Sequence, residues 1–148
     1  MKKLAAFTLA LALSAALSAT AFAADDNRNV EVTAHIDPTY TVTIPANTAV
    51  SFNAVNTSFG EIKLTAAQLD PGKKVKVALS ASGTLKNAKD PSKTLPYKIL
   101  NGDAEFTSAT YATAGDSTAL TIHIAQEDWN KAHAGDYADT VTFTISYQ

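Results

Sequence analysis

Apolar side chains fall at every second position along most of this chain, and a period of two admits strands and excludes a bundle of amphipathic helices. Val30, Val32, Ala34 and Ile36 alternate with Glu31, Thr33 and His35, and after Asp37-Pro38 the pattern resumes through Tyr40, Val42 and Ile44. Shorter pieces follow at Val50 and Phe52 and at Ile62 and Leu64, then fuller ones at Val75–Leu79 and Leu120–Ile124. Tyr137, Val141, Phe143, Ile145 and Tyr147 close the chain in one phase, with Thr140, Thr142, Thr144 and Ser146 in the other. Such alternation places one face of each strand on a core and the other in water. Turn residues divide the runs. Asp70-Pro71-Gly72 suits a turn with Pro second and Gly third, and Asn101-Gly102 suits a hairpin. Only Gln126 to Ala132, around Trp129, has a helical look, enough for about two turns. The expected fold is all-β: an immunoglobulin-like sandwich of two antiparallel sheets, about seven to nine short strands, with one short helix near Trp129.

The first residues read differently. Lys2 and Lys3 precede an apolar run from Leu4 to Leu17, and Ala21-Phe22-Ala23 closes it with small residues in the pattern of a cleavage site. The run is shorter than the roughly 20 residues a membrane span requires. Residues 1–23 are therefore expected to be an export signal, and 24–148 a single β-sandwich domain outside the cytoplasm, with no membrane span once the signal is removed. The signal carries two of the 12 Lys and Arg and none of the 14 Asp and Glu, which leaves the remainder four charges negative. A mildly acidic surface without a basic cluster argues against nucleic acid and against anionic membranes. The absence of cysteine removes disulfides, thiolate metal sites and a Cys nucleophile from consideration.

A search for reaction chemistry finds no catalytic, cofactor-binding or metal-binding constellation, and no cofactor is expected. His35, His123 and His133 are scattered, and the first two occupy the polar phase of their runs. No nucleophile elbow, His-Glu-x-x-His or phosphate-cradling glycine loop is present. Glu127 and Asp128 are adjacent on a short helix, so they diverge and suit the electrostatics of a helix start. Trp129, Tyr97 and Tyr111 admit two readings: a platform on which a sugar stacks, or core residues, with Trp129 closing one end of the core.

The two ends of residues 24–148 carry the most information. Gly135 is fourteenth from the end, Tyr147 is penultimate, and Val141, Phe143 and Ile145 alternate between them. In these features the chain resembles the subunits of chaperone–usher pili, and Asn29–Pro38 looks like the donor strand of the cysteine-free fimbrial major subunits. The resemblance implies that Val30, Val32, Ala34 and Ile36 insert into the open groove of a neighbouring subunit. It also implies a fimbrial or cell-envelope location, with copies of the chain or a related subunit as partners and a periplasmic chaperone as a further candidate. Ala-Gly-x-Tyr before an alternating last strand is similar as well to self-contained immunoglobulin-like surface domains of Gram-positive bacteria. By its residues alone, Val30–Ile36 reads equally as a first strand that completes its own sandwich. Two functions therefore stand open: a non-enzymatic structural subunit assembled through strands, or a monomeric binding module for carbohydrate or a matrix ligand.

Overall fold

The computed structural model describes residues 28–148. The export-signal reading of residues 1–23 and its boundary at Ala24 lie outside the described residues. The β body belongs to the unit Ile36–Gln148, and residues 28–35 belong to a separate unit.

Within the body, eleven strands are joined by antiparallel pairing in three sheets. The largest sheet aligns β1 (Thr39–Thr43), β2 (Asn56–Gln68), β9 (Ser117–His123), β6 (Lys98–Asn101) and β7 (Ala104–Glu105) in that order. A second aligns β11 (Thr142–Tyr147), β3 (Val75–Ser80) and β8 (Ser108–Tyr111), and a third aligns β10 (Tyr137–Ala138), β4 (Thr84–Asn87) and β5 (Thr94–Pro96). The chain passes from the first sheet to the second within two residues: the Phe106 amide donates to the Ile99 carbonyl, and the Thr107 carbonyl accepts from the Leu79 amide.

The sheets contribute to one core. Ile62 and Leu64 of β2, Leu120 and Ile122 of β9, and Ile99 of β6 meet Val75 and Val77 of β3 and Tyr111 of β8. Leu95 of β5, Ile124, Phe106 and Trp129 complete it. This is the all-β sandwich that the alternation implies, with its apolar phase inward on β2, β3 and β9.

Three details differ from the expectation. The strands are more numerous and fall into three sheets, because the Glu105–Tyr111 run splits as it changes sheets and the last run splits at Asp139. The helix α1 (Gln126–Trp129) is a single turn. Residues 28–38 and 44–50 form neither helix nor strand. A period of two decides which side chains share a face, but a strand also needs a partner edge, which the pattern does not supply. The expected turns are present: the Lys73 amide donates to the Asp70 carbonyl, with Gly72 at φ 81°.

Gly135 owes its identity to a close approach. Its φ is 145°, and a Cβ there would overlap the side-chain amide of Asn87. Asn87 is the one buried polar residue of the described chain. It cannot yield, because its Oδ1 accepts from the amides of Lys89 and Asp90 at 2.9 and 3.3 Å and its Nδ2 donates to the Ala134 carbonyl at 3.3 Å. Gly135→Ala is expected to cost about 2–4 kcal/mol in urea melts, through overpacking and a disturbed buried amide. Gly115→Ala, also at positive φ but with open space around it, should cost about 1 kcal/mol. Equal losses at the two sites would show that the Asn87 contact carries no weight.

Candidate functional site

The final strand is paired on one side only. β11 bonds to β3 in an unbroken register from Thr142↔Ser80 to Tyr147↔Val75, and no described strand lies along its other edge. β1 likewise pairs only with β2. The two one-sided strands meet at one end of a seam that opens beyond them. At one end Tyr40 of β1 stacks on Tyr147 of β11, with ring centroids 6.0 Å apart. Tyr147 clasps the same end to Asp70, donating to Oδ2 at 2.8 Å and accepting from the amide at 2.9 Å.

Beyond β1 the rim of the seam is the irregular segment 44–52. Among the described residues, no backbone hydrogen bond joins 44–50 to another backbone group. Between this rim and residues 139–143 lies a cleft of about 510 Å³, floored by Phe59, Leu85, Ile99 and Ile122. A second cleft of about 740 Å³ continues past Thr48 and Val50 toward Trp129, with residues 132–139 as its far wall. Thr48, Val50, Leu85 and Asp139 line both, so the two form one groove.

The groove is short of cover. Val141 and Phe143 pack on the core cluster yet are only half-buried, Phe143 lies against Phe59 at 6.1 Å, and Ile145 is 39% exposed. The apolar phase of β11 is therefore as the alternation predicts, but its burial is incomplete.

Asp139 holds the junction of the two clefts. Its Oδ2 accepts from the Tyr97 hydroxyl at 2.6 Å and from the Ser82 hydroxyl at 2.8 Å. Partial burial opposes its ionisation, but the hydrogen bonds from Tyr97, Ser82 and the Thr140 and Ser82 amides outweigh this and hold the carboxyl below its usual range. In turn, burial and then the bond to Asp139 push the Tyr97 phenol up. This network ties the β10–β11 junction to the strands beneath it.

The residues singled out from sequence fall into three groups. Val30, Val32 and Ile36 are 84%, 92% and 64% exposed, and Ala34 is exposed with them. Val141 and Phe143 line the smaller cleft, Tyr147 closes one end of the seam through its stack on Tyr40, Ile145 lies exposed on β11 outside both clefts, and Gly135 lies in the wall of the larger cleft. Trp129, Tyr97 and Tyr111 are buried, and what is exposed of Trp129 and Tyr97 lines the clefts, which leaves little ring surface for a sugar to stack on. Their polar atoms are committed as well, Trp129 Nε1 to the Ala54 carbonyl and the Tyr111 hydroxyl to Thr118. Sequence reasoning missed the rim 44–52, Phe52 as an exposed group, and Asp139. A signal existed for the last, since Asp139 is a charge standing in the apolar phase between Tyr137 and Val141.

Among the described residues no group of His, Asp and Glu side chains is arranged to hold a metal ion, and no helix is long and apolar enough to cross a membrane. No protein-family profile matches the chain, and no curated protein does. Among solved structures, a chain from a chaperone–tip adhesin complex of CFA/I fimbriae biogenesis is similar over 72% of this chain and 42% of its own, with 13% identity and a TM-score of 0.47. This chain thus spans about two fifths of that chain's length.

Because the folded-state pKa of Asp139 is depressed, its ionised form adds stability that is fully present above the unfolded carboxyl value and is lost as pH falls through the folded one. Asp139→Asn should lower stability near neutral pH by about 1 kcal/mol, the modest figure reflecting partial exposure. Melts repeated toward acid should show the gap closing below the ordinary carboxylate range. A gap that stays constant with pH would remove Asp139 as the titrating group.

Proposed function

We propose that this chain is an exported, non-enzymatic surface subunit that assembles by strand donation, residues 30–36 of one copy filling the β1–β11 seam of the next. The observation that carries this reading is the seam itself: two strands, β1 and β11, each without a strand partner on one side, beside a cleft with an apolar floor. A strand laid there adds a main-chain ladder and places alternate side chains in the groove, the recognition mode of strand addition. Val30, Val32 and Ile36 have the matching spacing and are heavily exposed. Burying each stabilises by about 1.5–3 kcal/mol. The contact joins two different surfaces, so repetition gives a file of subunits and not a closed pair.

Edge protection argues the same way. Monomeric sheet proteins guard free edges with charges, proline or bulges. β1 carries such a register shift at Thr41/Val42, but β11 reads Thr-Phe-Thr-Ile-Ser-Tyr, and its pairing with β3 contains none. A bare apolar edge suits a strand that is meant to be covered. The binding-module reading has no comparable support, because the aromatics that would serve it are buried.

Sedimentation of the full chain in the presence and absence of a synthetic Asn29–Pro38 peptide tests the proposal. The chain alone should form concentration-dependent polymers, and excess peptide should suppress them while raising the melting temperature. Val32→Asp in the peptide should weaken capture by about 100-fold, since a buried unpaired charge costs several kcal/mol. The same change in the full chain should block polymers without unfolding the body, Val32 being 92% exposed. A monomer at every concentration, indifferent to the peptide, would sink the reading.

A further inference from the structure

Phe52 is presented outward by a built feature. It occupies the second position of a turn in which the Ala54 amide donates to the Ser51 carbonyl at 3.1 Å, and Asn53 at φ 62° takes the left-handed conformation that Asn tolerates. The Gln126 side chain donates to Asn53 Oδ1 at 3.4 Å, and the Phe52 ring meets Trp129 edge-to-face at 5.7 Å. Thus a large apolar ring is fixed by its neighbours yet remains 77% exposed, at the end of the groove opposite the Tyr40–Tyr147 stack.

Chain length says what covers it. Every strand pair in the body is antiparallel. A strand added to β11 in the same sense runs from the Tyr147 end toward Val141, so its last apolar residue, Ile36, arrives near Val141, two residues from Asp139 at the junction of the two clefts. Only Asp37 and Pro38 separate Ile36 from β1. The three residue steps from Ile36 to Thr39 reach about 10 Å. The body of the donating copy then sits within that reach of the cleft junction, on the side where the larger cleft leads to Trp129 and Phe52. The part of it that arrives is the start of β1 with the adjoining end of β2, where Tyr40 is exposed and Leu69 half-buried.

We infer that Phe52, backed by Trp129, is the docking knob for the base of the next copy, packing against its Thr39–Tyr40 and Leu69 region. This rests on the strand-donation reading and adds a body-to-body contact that fixes how consecutive copies are oriented. Without such a contact a two-residue linker would still tether them, but their relative rotation would be unset.

The chain has no cysteine, so an engineered pair supplies its only thiols. The full chain carrying Phe52→Cys and Thr39→Cys is treated with a short bis-maleimide, with and without excess Asn29–Pro38 peptide, and run on a denaturing gel beside sedimentation. The expected result is a ladder of covalent multimers that the peptide suppresses at least tenfold. Polymers that the peptide suppresses but that give no ladder would overturn the Phe52 contact and leave strand donation standing. A ladder that persists undiminished under peptide would also overturn it, since the contact would not follow from donation. Failure to polymerise, or indifference to peptide in sedimentation, would remove the donation reading and this inference with it.

Discussion

The structure depends on the one-sided pairing of its last strand. β11 gives its inner edge to β3 along six residues, and backbone bonds between Gln148 and Lys74 extend the ladder to the final residue. Nothing described lies on the outer edge, so Val141 and Phe143 touch the core without closing over it. A sandwich of this size relies on burial, because it has no disulfide to limit the unfolded chain. The fully buried set is accordingly concentrated in β2, β3, β5 and β9 with Ile124, away from the seam. The groove is thus a region of low packing supported by a region of high packing.

Several small devices fix the rim of that groove. Asp139, an ionised group bonded to two hydroxyls, stands between the two clefts and anchors the segment just before β11. Asn87 and Gly135 fix the chain before β10 by a close contact that leaves no room for a methyl group. The Tyr147–Asp70 clasp and the Tyr40–Tyr147 stack hold the opposite end. All of these are polar or geometric constraints at the rim, where apolar packing alone would favour closure.

Much of this was legible in the residues. β2, β3, β9 and β11 follow their alternation because each has one face on the core, and the turns at Asp70–Gly72 and Asn101–Gly102 carry their own chemistry. What could not be read is what depends on partners. Val30–Ile36 has a strand's pattern, but it forms no strand among the described residues. β4 and β5 are short and nearly patternless, and they exist because Leu85 and Leu95 face one another across a small ladder. Phe52 kept the phase of Val50 but was turned outward by Asn53, a left-handed residue whose effect is local. As for the candidate site, its last-strand wall was legible from Gly135 to Tyr147, whereas the rim 44–52 carries only Ile44 and the Val50–Phe52 pair, too short a pattern to announce it.

The ladder between β11 and β3 also bears on mechanics. Its bonds lie perpendicular to the strands, and a strand seated in the seam would be held by a ladder of the same kind. Tension along a file of such copies would act parallel to the seated strand, so the bonds would be strained together in shear and not peeled one by one. A joint loaded in this way fails only when the whole strand slides. Ile36, nearest the exit, would leave first, and Val30, seated at the Tyr40–Tyr147 end, would have to travel the whole length of the seam. A chain without a single covalent crosslink would then owe its tensile strength to the direction in which its hydrogen bonds are pulled.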